Sequence, residues 1–249
     1  MADTETGSGG YYPRRGLHGR LVDSLGRAIV TGDYTPGDPL DVAALQAERA
    51  VSKTALREVL RVLAGKGLVD ARQKRGTIVA PVGAWNLLDP DVLRWQIGAQ
   101  AGADLLEALA EVRAIVEPSA ARLAAERRTE GDLEALERAL AAMVGSAADP
   151  VAHAAADVAF HRALLRASGN ELLGRIGGVL EAVLRARDEL VHRVGHRDDF
   201  RAPHAAVLAA IRERRPQRAH DAMAALLAKS RTDALAAASA GAERLGAGA

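Results

Sequence analysis

The segment Val51-Ser52-Lys53-Thr54-Ala55-Leu56-Arg57-Glu58-Val59-Leu60 runs on through Gly67-Leu68-Val69 to Arg75-Gly76-Thr77 and decides the reading of the chain. Ser52 stands where a helix N-cap belongs, because its hydroxyl can accept from a backbone N–H of the first turn. Leu56, Val59, Leu60 and Leu63 recur at i, i+3, i+4 and i+7, one apolar face of an amphipathic helix. Lys53, Arg57 and Arg61 follow at i, i+4 and i+8 on another face. A helix with a buried rear face and polar, cationic side chains in its first turn has the form of a recognition helix entering a DNA major groove. Residues 68–80 then read as a β-hairpin whose tip, Arg72-Gln73-Lys74-Arg75-Gly76, is a cationic wing for phosphates. The candidate DNA contacts are Ser52, Lys53, Thr54, Arg57, Arg61, Lys74, Arg75 and Gly76.

Charge agrees with this order of parts. Residues 51–81 hold seven Lys/Arg (53, 57, 61, 66, 72, 74, 75) against Glu58 and Asp70, a local net of +5 in a chain whose total is +1. A charge run alone is usually a solvated face; here cap, helix and wing follow one another in the order a DNA-binding module needs. Upstream, Leu17, Leu21, Leu25 and Ala28/Ile29 predict a first helix over 17–31, and 41–50 a short second one. Between them Gly32-Asp33-Tyr34-Thr35-Pro36-Gly37-Asp38-Pro39 is dense in turn residues and reads as a loop. Three helices and a hairpin make a winged helix-turn-helix over 15–81.

At 249 residues the chain suits two modest domains. It is 49% hydrophobic with only 3% aromatic residues, and that apolar content is heavy in Ala and Leu, which favours helix. There is no run of about 18 uncharged apolar residues to span a membrane. Zero cysteines exclude disulfides, thiolate zinc sites and cysteine nucleophiles. Residues 1–14, rich in Gly, Ser and Thr, read as disordered and not as a signal peptide, and the protein is expected in the cytoplasm. Residues 82–102 read as a linker and first helix, with Asp89 before Pro90 as the helix start. From there helices are predicted over 103–127, 130–145, 149–167, 171–194, 200–213 and 216–238, punctuated by short breaks, with a flexible tail over 239–249. The expected fold is mainly α: an N-terminal winged helix-turn-helix plus a C-terminal antiparallel all-helical bundle.

A second pattern lies in the bundle. Asp157 and His161, at i and i+4, share a helix face and can chelate one divalent ion. His204 is followed by Val207, Leu208 and Ile211, which imply that its helix packs on the bundle. By pattern alone this is weak, since a histidine among apolar residues is usually a satisfied core residue. His153 reads as peripheral and His220 as a surface residue. Arg113, inside an otherwise apolar helix, reads as paired with Glu117 or as a bidentate trap for an anionic ligand.

These residues resemble the GntR superfamily of bacterial transcription regulators and, within it, the FadR subfamily, over about residues 17–238. The likeness is carried by Pro36-Gly37-Asp38-Pro39-Leu40, Val51 to Leu60, Gly67-Leu68-Val69 and Arg75-Gly76. In the second half it is carried by Glu111-Val112-Arg113, Val116-Glu117-Pro118, Ala124-Ala125-Glu126-Arg127, Asp157 with Phe160-His161, Ser168-Gly169-Asn170, and His204 with Val207-Leu208 and Ile211. The resemblance implies a homodimer on double-stranded operator DNA, with a ligand-sensing helical domain. It implies that Asp157, His161 and His204 hold one divalent metal ion (zinc, nickel or manganese), or that they bind the effector directly in a metal-free pocket. The position of a further family histidine is matched by Leu226, leaving three protein ligands. A finer likeness, through Trp85-Asn86, Leu88-Asp89, Asp91-Val92-Leu93 and Trp95, is to D-galactonate-responsive and related sugar-acid repressors. It implies a small carboxylate effector contacting Arg113, Asp157, His161, Asn170, His204 and Ser230. Lys53 replaces the usual Arg, Ala43 stands where some relatives have an Arg, and Arg49 where a Leu is common, so the operator preference is expected to differ. The expectation is a repressor of a sugar-acid catabolic operon, not an enzyme. The rivals are a metal-dependent hydrolase using Asp157, His161 and His204, with Glu117 or Glu181 as base, and a DNA binder without effector sensing.

Overall fold

The computed structural model describes residues 16–72, 76–97, 102–178 and 200–246. The readings placed on residues 1–14, on Lys74 and Arg75, on Glu181 and on the second half of the helix predicted over 171–194 lie outside the described residues. The chain divides into two units, Met1–Leu105 and Leu106–Ala249.

The first unit contains α1 (Gly16–Thr31), β1 (Pro39–Leu40), α2 (Val42–Arg49), α3 (Lys53–Gly65), β2 (Val69–Arg72), β3 (Gly76–Val79), a 3-10 turn (Val82–Ala84) and α4 (Pro90–Ile97). Asp41 caps α2, accepting from the N–H groups of Ala43 and Ala44, and Ser52 caps α3, accepting from Ala55. Between the two helices Ala50 adopts a left-handed conformation (φ 49°), which turns the chain sharply and lets Val51 drop into the core. Leu56, Val59, Leu60 and Leu63 are all buried, together with Leu21, Val22, Leu25 and Ile29 of α1. Leu17, read as part of the α1 apolar face, is 55% exposed; it lies in the first turn, one residue after the described segment begins.

The sheet has the antiparallel order β1-β3-β2, with Val69 opposite Val79 and Pro39 opposite Ile78. The loop reading of residues 32–39 therefore needs correction at its end, since Pro39 and Leu40 add a third strand to the hairpin. A proline fits such an edge because it lacks the N–H an inner strand must donate.

The segment read as linker also belongs to this unit. Val92, Leu93 and Trp95 of α4 are buried, and the Trp95 ring lies where a Cβ on Gly26 of α1 would approach it to 2.3 Å. Only glycine at position 26 admits that ring. Gly67 has φ +76°, and a Cβ there would meet the Ala84 carbonyl oxygen at 2.2 Å, so the turn after α3 is built for glycine twice over.

The second unit contains α5 (Gly102–Arg127), α6 (Glu130–Gly145), α7 (Pro150–Ala167), the described part of α8 (171–178), α9 (Arg201–Arg212) and α10 (Pro216–Gly246). Thr129 and Asp132 form a reciprocal capping box for α6, and Asp149 caps α7 with Pro150 in its first turn. Leu136, Met143, Phe160, Leu164, Ile211 and Met223 fill the centre of one core. The tail read as flexible from 239 is instead helical to Gly246. Its alanines explain the difference, because Ala loses little entropy in a helix and outweighs the scattered glycines.

Candidate functional site

On α3, Ser52, Lys53, Thr54, Arg57 and Arg61 are exposed, opposite the buried leucine face, as a groove-reading helix requires. Arg61 sits 3.7 Å from Glu58 with both side chains largely in water, a pair worth little against a phosphate. Gly76 opens β3 with φ +75°, at the wing.

Lys66 departs from the sequence reading, which counted it with the DNA-facing charge. It is buried, and its ammonium donates to Asp89 Oδ1 and Oδ2 (2.9 and 2.8 Å) and to Asp91 Oδ2 (2.8 Å). Asp89 Oδ1 also accepts from the backbone N–H groups of Asp91 and Val92, capping α4. Arg94 reaches Asp91 Oδ1 and Asp23 Oδ1, and Trp95 Nε1 donates to Asp23 Oδ1 at 2.9 Å. Burial works against the Asp23 carboxylate, but the Trp95 and Arg94 hydrogen bonds outweigh it and lower its pKa from 3.8. The base of the recognition helix is thus tied to the start of α4 by a closed ionic network.

The helical unit holds a second buried cluster, on α5, α7 and α9. Arg113 Nε donates to Glu117 Oε1 at 2.8 Å, and the other Glu117 oxygen lies 2.6 Å from His161 Nδ1. Arg113 Nη2 lies 3.3 Å from His161 Nε2. A guanidinium has only donors, so His161 Nε2 must offer its lone pair and Nδ1 must carry the proton given to Glu117. Burial pushes the Glu117 carboxyl up, but Arg113 and His161 prevail and hold it at about 2. Sequence spacing exposed only the Arg113 half of this arrangement. The His161 half joins helices distant in sequence, and no local signal carries it.

His204 is fixed in the complementary way. Its Nδ1 lies 2.7 Å from the Phe200 carbonyl oxygen, which can only accept, so Nδ1 carries a proton and Nε2 is the nitrogen left to meet a ligand. That buried Nε2 has no hydrogen-bond partner, although Asp157 Oδ1 is 3.2 Å away. His161 Nε2 is 3.7 Å from the same oxygen. One donor atom each from Asp157, His161 and His204 falls within 4.8 Å of the others. Ligands at zinc–nitrogen distances of about 2.0–2.1 Å stand about 3.4 Å apart around a tetrahedral ion. Donor type, spacing and the outer hydrogen bonds that fix both imidazoles therefore fit a divalent cation.

Leu226 is buried in the apolar core and supplies no fourth ligand. Ser230 is buried on α10. Asn170 is exposed, and its carboxamide oxygen accepts from Leu172 and Leu173 N–H groups at the start of α8, so it is spent on a cap. His153 lies edge-on to Phe200, and His220 is exposed enough to pair with Asp221 outside the cluster.

Comparison with known proteins assigns both halves. Residues 17–79 match the model of bacterial regulatory proteins of the gntR family, and residues 108–229 match the FCD domain. The galactonate operon transcriptional repressor of Escherichia coli K12 is 37% identical over 217 residues, covering 85% of this chain and 93% of the relative. The chain belongs to the GntR family. Within it, the FCD domain marks the FadR-type C-terminal architecture. The regulator LutR of Bacillus subtilis strain 168 is 38% identical over 157 residues, 63% of this chain and 70% of that one. The solved structure of Lar, which controls the agr system of Listeria monocytogenes, matches at TM-score 0.63 over 90% of this chain and 99% of its own. At 19% identity that likeness speaks for the fold alone. This GntR protein is therefore a DNA-binding transcription regulator with a winged helix-turn-helix and a helical FCD domain.

Proposed function

We propose that this regulator is a homodimeric repressor of a sugar-acid catabolic operon, released from its operator by a small carboxylate effector such as an aldonic acid bound in the FCD domain. The observation that carries the reading is the buried Arg113–Glu117–His161–Asp157–His204 cluster. A relative named as the galactonate operon transcriptional repressor supports the choice of ligand class.

Arg113 is engaged by Glu117, and the Asp157 carboxylate faces both imidazoles, a poor seat for an anion on its own. Asp157, His161 and His204 would hold one divalent ion, which supplies a Lewis acid for carboxylate and hydroxyl oxygens. Arg113 Nη2, now on His161 Nε2, would then be free to turn its donors to the effector carboxylate, with Ser230 as a hydroxyl partner. Glu117 orients His161 and keeps Arg113 in place. The same contacts argue against a hydrolase, because both Glu117 oxygens are occupied and its low pKa makes it a poor general base. Effector binding shifts the population away from the DNA-binding arrangement by no more than its differential affinity for the two states.

The test is operator release. DNA from upstream of the protein's own gene and neighbouring operons is titrated with the metal-loaded dimer, then with D-galactonate and other aldonic acids. Release by one acid, lost in Asp157→Asn, is expected. Binding unaffected by every acid would instead favour a regulator that does not sense through this domain.

A further inference from the structure

The start of α9 carries an exacting duty without the usual means of fixing it. α2, α3, α6 and α7 each begin on a side chain, Asp41, Ser52, Thr129 or Asp149, that accepts from first-turn N–H groups. α9 begins on Phe200, which makes no such bond. Yet the Phe200 carbonyl oxygen receives His204 Nδ1 at 2.7 Å, and this contact turns His204 Nε2 toward Asp157. α9 packs on α6 and α10, whereas Asp157 and His161, which His204 must meet, stand on α7. The placing of α9 against α7 therefore falls to side chains that cross between the two helices.

His153 is such a side chain. It lies one turn before Asp157 on α7, partly buried, with its ring centroid 4.3 Å from that of Phe200 and the two planes at 65°. Edge-to-face pairs of this kind hold two rings in a defined orientation. The His153 Nδ1 also lies 3.3 Å from the Met143 carbonyl oxygen, in the last turn of α6. One imidazole on α7 thus touches the end of α6 and the first residue before α9. It does not belong to the donor set, whose atoms on Asp157, His161 and His204 fall within 4.8 Å of one another without it.

We propose that His153 is a positioning residue for the ion site: its ring seats Phe200, and the Phe200 carbonyl in turn aims His204 Nε2 at the place that Asp157 and His161 share. The inference rests on the reading of those three residues as ligands and adds the contact that brings the third of them into line. Outer contacts that orient a ligating histidine are worth roughly 10–100-fold in metal affinity. His153 acts through one further contact, so its effect belongs at the lower end of that range.

The test is the Zn²⁺ affinity of the EDTA-stripped full-length chain by chelator competition. Melting temperatures and ¹⁵N-histidine NMR of the zinc-loaded protein accompany it, the latter to show which nitrogen of His204 holds the ion. The wild type is expected to bind through Nε2. His153→Ala is expected to fold, to bind Zn²⁺ about 10-fold more weakly, and to lose the single Nε2 signature. His153→Phe keeps a ring edge at Phe200 and has no nitrogen to offer, so it is expected to stay within about 2-fold of wild type. Phe200→Leu removes the contact from the other side. It should weaken binding as His153→Ala does, and the double variant should be no weaker than either single one.

His153→Ala with wild-type affinity and a lower melting temperature makes the ring core packing alone, and overturns the proposal. So does a His153→Phe protein as weak as His153→Ala, since the histidine would then act through its nitrogens. Losses that multiply in the double variant overturn it as well, and this arm stands even if His153→Ala alone proves unstable. Each of these results leaves the three-ligand reading intact. A wild type that binds no Zn²⁺ overturns that reading, and this inference with it.

Discussion

Two buried charged clusters, one in each unit, differ in a way that separates structure from function. Around Lys66 every charge is answered. Its ammonium meets Asp89 and Asp91, Asp91 meets Arg94, and Arg94 and Trp95 meet Asp23. Around His204 the arrangement is unfinished: a buried ring nitrogen stands 3.2 Å from a carboxylate oxygen with no hydrogen bond between them. The first cluster holds α3 and α4 together and asks for nothing more. The second is held open by Glu117 and the Phe200 carbonyl, which engage Nδ1 of each imidazole and turn each Nε2 inward. Burying unanswered polarity is costly, so such an arrangement signals a ligand where a complete one signals a staple.

Breaking the closed cluster should have the largest effect. Lys66→Met leaves two carboxylates buried without their cation and is expected to destabilise the winged unit by about 3–5 kcal/mol, read as a lower urea midpoint and loss of DNA binding. Asp157→Asn sharpens the contrast, because it removes a buried charge and with it the anionic member of the donor set. The ligand-free variant should melt no lower than wild type, while its affinity for Zn²⁺ falls by more than the roughly 10–100-fold that an outer hydrogen-bond partner commands. Arg57→Ala tests the exposed charges of α3, which have no structural duty. It should cost operator binding about 1–3 kcal/mol and leave thermal stability unchanged.

The smallest effect is expected at Asp23, at the edge of the closed cluster. Its folded pKa lies below 3.8, so its contribution is present above that value and is lost as pH falls through the lowered one. Asp23→Asn should flatten the acid side of the stability curve by less than about 1 kcal/mol, since the side chain is 34% exposed. Urea midpoints measured between pH 2 and about 6 would show it.

What the sequence revealed follows the range of each interaction. The α3 face, its Ser52 cap and the Asp157/His161 pair were legible because helical periodicity makes them local. Arg113 and Glu117, four residues apart, were legible as a pair for the same reason. Lys66 was misread because charge counting cannot see which side of a helix end a residue occupies, and its partners arrive only with Asp89 and Asp91. Pro39 and Leu40 were missed as a strand because two residues carry no period, and only β3 beside them makes them one. His204 was legible as a weak companion of that pair through its apolar neighbours, and family likeness made it a ligand; its Nδ1 contact is a backbone carbonyl four residues earlier, which no side-chain pattern encodes.

The most direct test is calorimetric titration of the EDTA-stripped full-length protein with Zn²⁺, followed by D-galactonate, in the wild type and in Asp157→Asn. The account predicts one Zn²⁺ per chain in the wild type, acid binding that depends on the ion, and neither event in the variant. Equal Zn²⁺ binding by both proteins, or none by the wild type, would contradict it.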